Sequence, residues 1–132
     1  MSLVYTALDL RYIDGDTWQL LSPFKAYSTV AHAHINVPAG FVTDFNSIPR
    51  LLTNILPREE YGEAAVLHDK LYREGKLNGV VIDRELADRI HREFVQWKGA
   101  PAWKVAAMFR GLRLGGWVAW RKYRKAEEAQ VA

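Results

Sequence analysis

Apolar and polar residues alternate through the first third of the chain and then change to a helical rhythm. In "VYTALDLRY" the residues Val4, Leu8, Leu10 and Tyr12 share one face of an extended segment, with Tyr5, Ala7, Asp9 and Arg11 on the other. The "DGD" at 14–16 follows, and Asp14-Gly15 suits a tight hairpin turn. "TWQLLSPFKAYSTV" resumes the extended pattern, with Pro23 at an edge or bend. In "AHAHINV" the side chains of Ala33, Ile35 and Val37 point inward, and those of His32, His34 and Asn36 outward. These segments predict a small N-terminal antiparallel sheet of three or four strands.

The rhythm changes at "VPAGFVTDFNSIPR". Pro38 and Gly40 end the last strand, and Ser47 is placed to cap a short helical turn within "IPRLLTNIL". Pro57 opens the next helix, with Glu59 and Glu60 in its first turn. Tyr61, Ala64, Ala65, Leu67, His68, Leu71 and Tyr72 follow, and the helix stops near Gly75. "KLNGVVI" reads as a loop with a short ribbon around Asn78-Gly79. Asp83 caps a helix that carries Leu86, Ile90, Phe94 and Trp97 at helical spacing, and Gly99 ends it. Pro101 starts a last long helix to about residue 125. Within it, Gly111 and Gly115 imply close packing against another helix, because glycine there costs about 1 kcal/mol of propensity each. The fold class is α+β, a small N-terminal antiparallel sheet followed by three main helices. The loop at 75–82 is short enough to make the first two an antiparallel pair. Residues 1–126 form a single domain and 127–132 a flexible tail.

Composition narrows the chemistry. The 132 residues are 49% hydrophobic and 25% charged, as in a globular domain that folds without cross-links. Cysteine is absent, which removes disulfide scaffolds, thiolate zinc sites and cysteine nucleophiles. The net charge of +3 is uneven: residues 1–60 carry 4 basic and 6 acidic side chains, giving −2, and residues 61–132 carry 14 and 9, giving +5. "RKYRK" at 121–125 can meet a phosphate, a phospholipid head group or an acidic protein; it can equally be a solvated helix end that favours the helix dipole. Trp97, Trp103 and Trp117 lie in helical apolar patterns and read as core, so nucleic acid is not favoured as a partner. The N-terminus lacks the pattern of a signal peptide. The apolar stretch 105–120 contains Arg110 and Arg113, so no transmembrane segment is expected.

Three polar residues interrupt core-forming helices. His68 and Tyr72 are four apart and stack on one face, while Asp69 is turned about 100° away. Asp88 stands mid-way along the next helix, and the antiparallel pairing brings it opposite His68. A carboxylate holding one imidazole nitrogen leaves the other free to take a proton, so His68 and Asp88 are the catalytic candidates. Asp69, directed toward the 40–47 loop, and Asp44 are candidate ligands for a divalent cation, with Tyr72 and Ser47 in support. The bland alternatives are a satisfied core histidine, and a turn in which Asp44 and Ser47 only fix the backbone. His32 and His34 form a His-x-His spacing that could hold zinc or nickel, without a third ligand nearby. His91 follows Asp88 by one turn and could extend the polar cluster, though an exposed helix position is expected.

The blocks "VPAGFVTDFNSIPR", "YGEAAVLHDKLY", "DRELADRIHREF" and "RLGGWVAW" occur in this order and closely resemble a family of small phage and prophage proteins, domain of unknown function 1353, over about residues 35–120. The resemblance implies phage or prophage origin. It places the protein in the host bacterial cytoplasm during infection or on the virion, and makes phage or host proteins its partners, with oligomers allowed. More distantly, "HDKLY" followed by "ADRIHREF" resembles the catalytic helix pair of the phospholipase A2 superfamily. That resemblance implies His68 as general base, Asp88 orienting it, Asp69 as a calcium ligand and Tyr72 as hydrogen-bonding support. It further implies an ester substrate and an anionic membrane surface as partner. Two functions are therefore expected in competition, with a host-takeover factor that binds a bacterial protein or nucleotide as a third. One is a metal-assisted hydrolase of phospholipase A2-like type. The other is a non-enzymatic virion structural or assembly protein, a tail, connector or baseplate component whose His/Asp cluster is a structural network.

Overall fold

A bend at Thr6 cuts the opening alternation in two. The structure, a computed structural model, describes residues 2–15, 17–45, 47–54 and 58–131. Here β1 (Leu3–Val4) and β2 (Leu10–Asp14) enter different sheets instead of forming one strand. Thr6 supplies the reason. Its Oγ1 accepts from the Lys25 amide at 2.9 Å and donates to the Pro23 carbonyl at 3.3 Å, so a side chain replaces ladder bonds.

The strands form two three-stranded antiparallel sheets rather than one. The first runs β1, β4 (Phe24–Ser28), β5 (Ala33–Val37); the second runs β2, β3 (Thr17–Leu20), β6 (Val42–Thr43). The β2–β3 hairpin turns after Asp14, which pairs with Thr17, and Gly15 in the turn has φ +51°. On β5, Ile35 and Val37 are buried and His34 and Asn36 exposed, as the alternation requires. His32 lies in the preceding turn with φ 50°, so the His-x-His pair does not share a strand face. Tyr12 is exposed and stacks edge-on to Trp18 instead of pointing inward.

The helices are α1 (Arg50–Thr53), α2 (Arg58–Glu74), α3 (Arg84–Lys98), α4 (Ala102–Gly115) and α5 (Trp117–Val131). Between α2 and α3, the ribbon β7 (Lys76–Leu77) and β8 (Val80–Val81) turns at Asn78-Gly79, both at positive φ. The Asp83 side chain accepts from the Leu86 amide at 2.8 Å, and Gly99 ends α3 in the left-handed region, so both helix boundaries follow local chemistry. Ser47 is not the cap of α1. Pro49 occupies the N-cap position, and among the described residues no side chain caps the helix. The expected opening of α2 at Pro57 falls outside the described residues.

α2 is the axis of the molecule. It is buried almost all round from Ala64 to Tyr72, with a kink at Tyr61. α3 runs antiparallel beside it: Glu63 pairs with Lys98 toward one end, and His68 with Asp88 further along. The long helix expected over 101–125 divides at Gly116. This residue keeps helical dihedrals, but a Cβ on it would lie 2.4 Å from the Tyr72 hydroxyl. Gly111 and Gly115 do mark a close approach, to Leu52 of α1 and to Pro49 before it. α5 continues to Val131, so most of the expected tail is helical; "KAEEAQ" consists of good helix formers. Trp97, Trp103 and Trp117 are not core: they are exposed by 41%, 64% and 50%. Partly buried Trp120 takes that place, edge-on to Tyr72. Among the described residues, no helix is long and apolar enough to cross a membrane.

Candidate functional site

The antiparallel α2–α3 pair brings His68 and Asp88 together, as the loop length predicts. His68 Nε2 lies 2.8 Å from Asp88 Oδ1, and both side chains are wholly buried. The other ring nitrogen, Nδ1, lies 3.0 Å from Ser47 Oγ. Serine, histidine and aspartate are thus joined in one chain of hydrogen bonds. With Nε2–H donating to the Asp88 carboxylate, Nδ1 is left to accept from the serine hydroxyl. The His68 and Tyr72 rings stack at 4.0 Å between centroids, the contact expected of residues four apart on a helix.

Asp88 is the most heavily partnered carboxylate of the site. Its Oδ1 accepts from His68 and from the Tyr72 hydroxyl at 2.5 Å; its Oδ2 accepts from Arg113 at 2.8 Å and Arg84 at 3.3 Å. Burial alone pushes this carboxyl up, but the hydrogen bonds from His68, Tyr72 and Arg113 outweigh it and hold it below the ordinary range. Tyr72 is raised far above the usual phenol value by burial and then by the adjacent Asp88 charge, so its hydroxyl stays a donor. Arg84 also donates to the carbonyls of Leu112 and Arg113, where α4 ends, and so joins the site to the Gly116 junction.

Asp69 turns toward the 40–47 loop, as its rotation along α2 requires. Its Oδ2 accepts from Thr43 Oγ1 at 2.6 Å and lies 3.1 Å from Arg73 Nε; that N–H is poorly aligned, so the contact is an ion pair rather than a directed hydrogen bond. Asp69 Oδ1 accepts no hydrogen bond among the described residues. Burial raises the Asp69 carboxyl, despite Arg73 and Thr43. Arg73 also reaches Asp44 Oδ1 at 3.2 Å, so the two candidate cation ligands converge on a guanidinium. Among the described residues, no three His, Cys, Asp or Glu side chains are grouped as metal ligands.

Backbone geometry in the loop aims Thr43 and Ser47 at α2. Phe45, a buried residue between them, has φ 59°, uncommon for a side chain of this size, and its amide donates to Thr43 Oγ1. The loop forms one wall of a cleft of roughly 610 Å³, lined among others by Asp44, Ser47, Arg73, Val118, Lys122 and Tyr123. His68, Asp69 and Asp88 lie behind this wall, and Ser47 is the member of the chain that touches the cleft.

Several of these partners had no place in the sequence reading. Arg84 stands four residues before Asp88 on the same helix, a spacing that could have found it. Arg73 stands four residues after Asp69 and carries the same signal; Arg113 and Thr43 carry none. His91, expected on the exposed side, is buried against the His68 ring at 5.1 Å. Burial, then His68, holds it well below the ordinary imidazole pKa, so it is neutral.

The family model described as a protein of unknown function, DUF1353, matches residues 18–112, and the chain belongs to this family. No curated protein and no solved structure matches the chain.

Proposed function

Within a family whose activity is unassigned, we propose that this protein is an acyl hydrolase with Ser47 as nucleophile, His68 as general base and Asp88 as the residue that orients the ring. The observation that carries this reading is the unbroken Ser47–His68–Asp88 chain, with its serine end at a cleft. His68 Nδ1 takes the hydroxyl proton as Ser47 Oγ attacks an ester carbonyl. It returns the proton to the leaving alcohol, and water then releases the acyl group by the same route. Asp88, held ionised by its donors, stabilises the imidazolium formed in between. The Ser47 hydroxyl is covered in the resting structure, so substrate entry requires side chains of the cleft wall, such as Arg73 and Lys122, to move.

A cation-assisted version has Asp44 and Asp69 exchanging Arg73 for calcium. A second reading, a buried network in a virion or assembly protein, draws on the complete burial of Ser47, His68 and Asp88. Labelling with a fluorophosphonate and mapping of the adduct separates the readings, alongside turnover of short-chain nitrophenyl esters. The hydrolase reading expects an adduct on Ser47, lost in Ser47→Ala, and a fall of roughly 10³- to 10⁴-fold in turnover for folded His68→Gln. No adduct and no turnover in wild type, with His68→Gln merely unstable, supports the network. Calcium-dependent turnover abolished by Asp69→Asn supports the cation version.

A further inference from the structure

α4 and α5 carry a face that the rest of the fold does not cover. At about 100° per residue, Trp103, Arg110, Trp117, Val118, Arg121 and Lys125 all fall within roughly 60° of Leu114 around the helix axis. Gly116 keeps helical dihedrals between the two helices; its N–H donates to the Leu112 carbonyl, and the Trp120 N–H donates to the Gly116 carbonyl. The apolar members are open to solvent: Trp103 is 64% exposed, Leu114 80%, Trp117 50% and Val118 58%. Leu51, beside the Leu52 that covers Gly111, is 82% exposed. Large apolar side chains grouped on one surface mark a contact site rather than the scattered exposure normal for a domain.

The charge on this face identifies the partner. From Phe94 to Ala126 the chain has eight basic residues and no acidic one. Some of these are engaged in the fold: Arg113 on Asp88, Lys98 on Glu63, and Arg124 on the carbonyls of Tyr72 and Arg73. Arg110, Arg121, Lys122 and Lys125 form no ion pair among the described residues, and all are exposed. A protein partner covering Leu and Trp would have to neutralise these cations with acids of its own. A nucleic acid would neutralise them but leave Leu114 and Val118 against phosphate. An anionic bilayer meets both needs, since head groups take the cations while indole and aliphatic groups enter the acyl boundary.

We infer that the exposed Trp103–Leu114–Trp117–Val118 face, with Arg110, Arg121, Lys122 and Lys125, docks the protein on an anionic lipid surface. Val118 and Lys122 also line the cleft beside Ser47, so docking sets the cleft mouth at the head-group level. The docking does not depend on the hydrolase reading.

Co-sedimentation of the full chain with vesicles tests it. Vesicles of phosphatidylcholine containing about a third phosphatidylglycerol should bind at least about tenfold more tightly than phosphatidylcholine alone, with the difference lost at high salt. Arg121→Gln with Lys125→Gln should weaken binding about 25-fold, taking ~1 kcal/mol, or about fivefold, per charge. Leu114→Ser, at a position too exposed to affect folding strongly, should also weaken it. Ser47→Ala should bind as wild type, which separates docking from hydrolysis. Equal binding to both vesicle types overturns the inference, as does full binding by the double variant. Tighter binding to a double-stranded oligonucleotide replaces the bilayer with nucleic acid, and a concentration-dependent dimer that occludes the face replaces it with a second copy.

Discussion

Asp88 and Asp69 are both fully buried carboxylates, set on the facing helices α3 and α2, yet their surroundings shift the two carboxyls in opposite directions, Asp88 down and Asp69 up. Asp88 has donors on both oxygens: imidazole, phenol and two guanidinium groups. Asp69 has one hydroxyl, one poorly aligned guanidinium and an oxygen with no donor among the described residues. Burial penalises both charges alike. The number and direction of the donors decide which charge the fold can keep. Asp88 is therefore a fixed negative charge behind His68, while Asp69 is a less satisfied group behind the cleft wall.

The strongest way to break the comparison is Asp88→Asn. It leaves Arg84 and Arg113 without a counter-charge and presents an amide donor to them, so urea denaturation should show a loss of about 3–5 kcal/mol. A loss below about 1 kcal/mol would mean that the arginines find other acceptors and that the Asp88 network does not hold the helices together.

Gly116→Ala tests the same network from outside. The new methyl would crowd the Tyr72 hydroxyl and the Arg84 guanidinium, displacing two of the four Asp88 donors. A loss of about 1–3 kcal/mol is expected. The Asp88 carboxyl should also rise toward its ordinary value, visible by carbon-detected NMR titration. An unchanged titration would show that these donors do not set it.

His91 sharpens the electrostatic side. Its folded pKa is depressed by burial, so the unfolded chain takes up that proton first as pH falls. The stability it contributes is complete above about pH 6.5 and is lost as pH drops toward the folded value. Urea midpoints should therefore fall from pH 7 to pH 5 in wild type, and fall less in His91→Phe. Parallel slopes would sink this assignment.

The smallest effect is expected at Asp69. Its raised carboxyl costs stability once the pH rises through the folded pKa, and Asp69→Asn removes that cost while weakening the Arg73 pair. The net change at neutral pH should stay within about 1 kcal/mol. A loss as large as that of Asp88→Asn would erase the distinction between the two carboxylates.

Much of the fold was legible before any coordinates, where the signal is local. Asp83 caps α3, Gly99 ends it, Asn78-Gly79 turns the ribbon, and Ile35 and Val37 face inward, because each depends on neighbours within a few residues. The His68–Asp88 contact was also legible, since a short connection between two helices makes them antiparallel and sets one midpoint against the other. The same reasoning failed for Thr6, whose side chain competes for backbone bonds, and for three tryptophans that share an apolar rhythm but face away from the core.

The sequence by itself determined the α+β order, the locally set boundaries of α3 and the β7–β8 ribbon, and the meeting of α2 with α3 at His68 and Asp88. Only the tertiary structure decided what His68 Nδ1 touches, which donors surround Asp88, and that His91 is inside. Helical periodicity and capping act over a few residues and can be read along the chain. The convergence of Ser47 and Arg113 on His68 and Asp88 depends on long-range closure of the loop and α4 around α2 and α3, for which no local spacing rule exists.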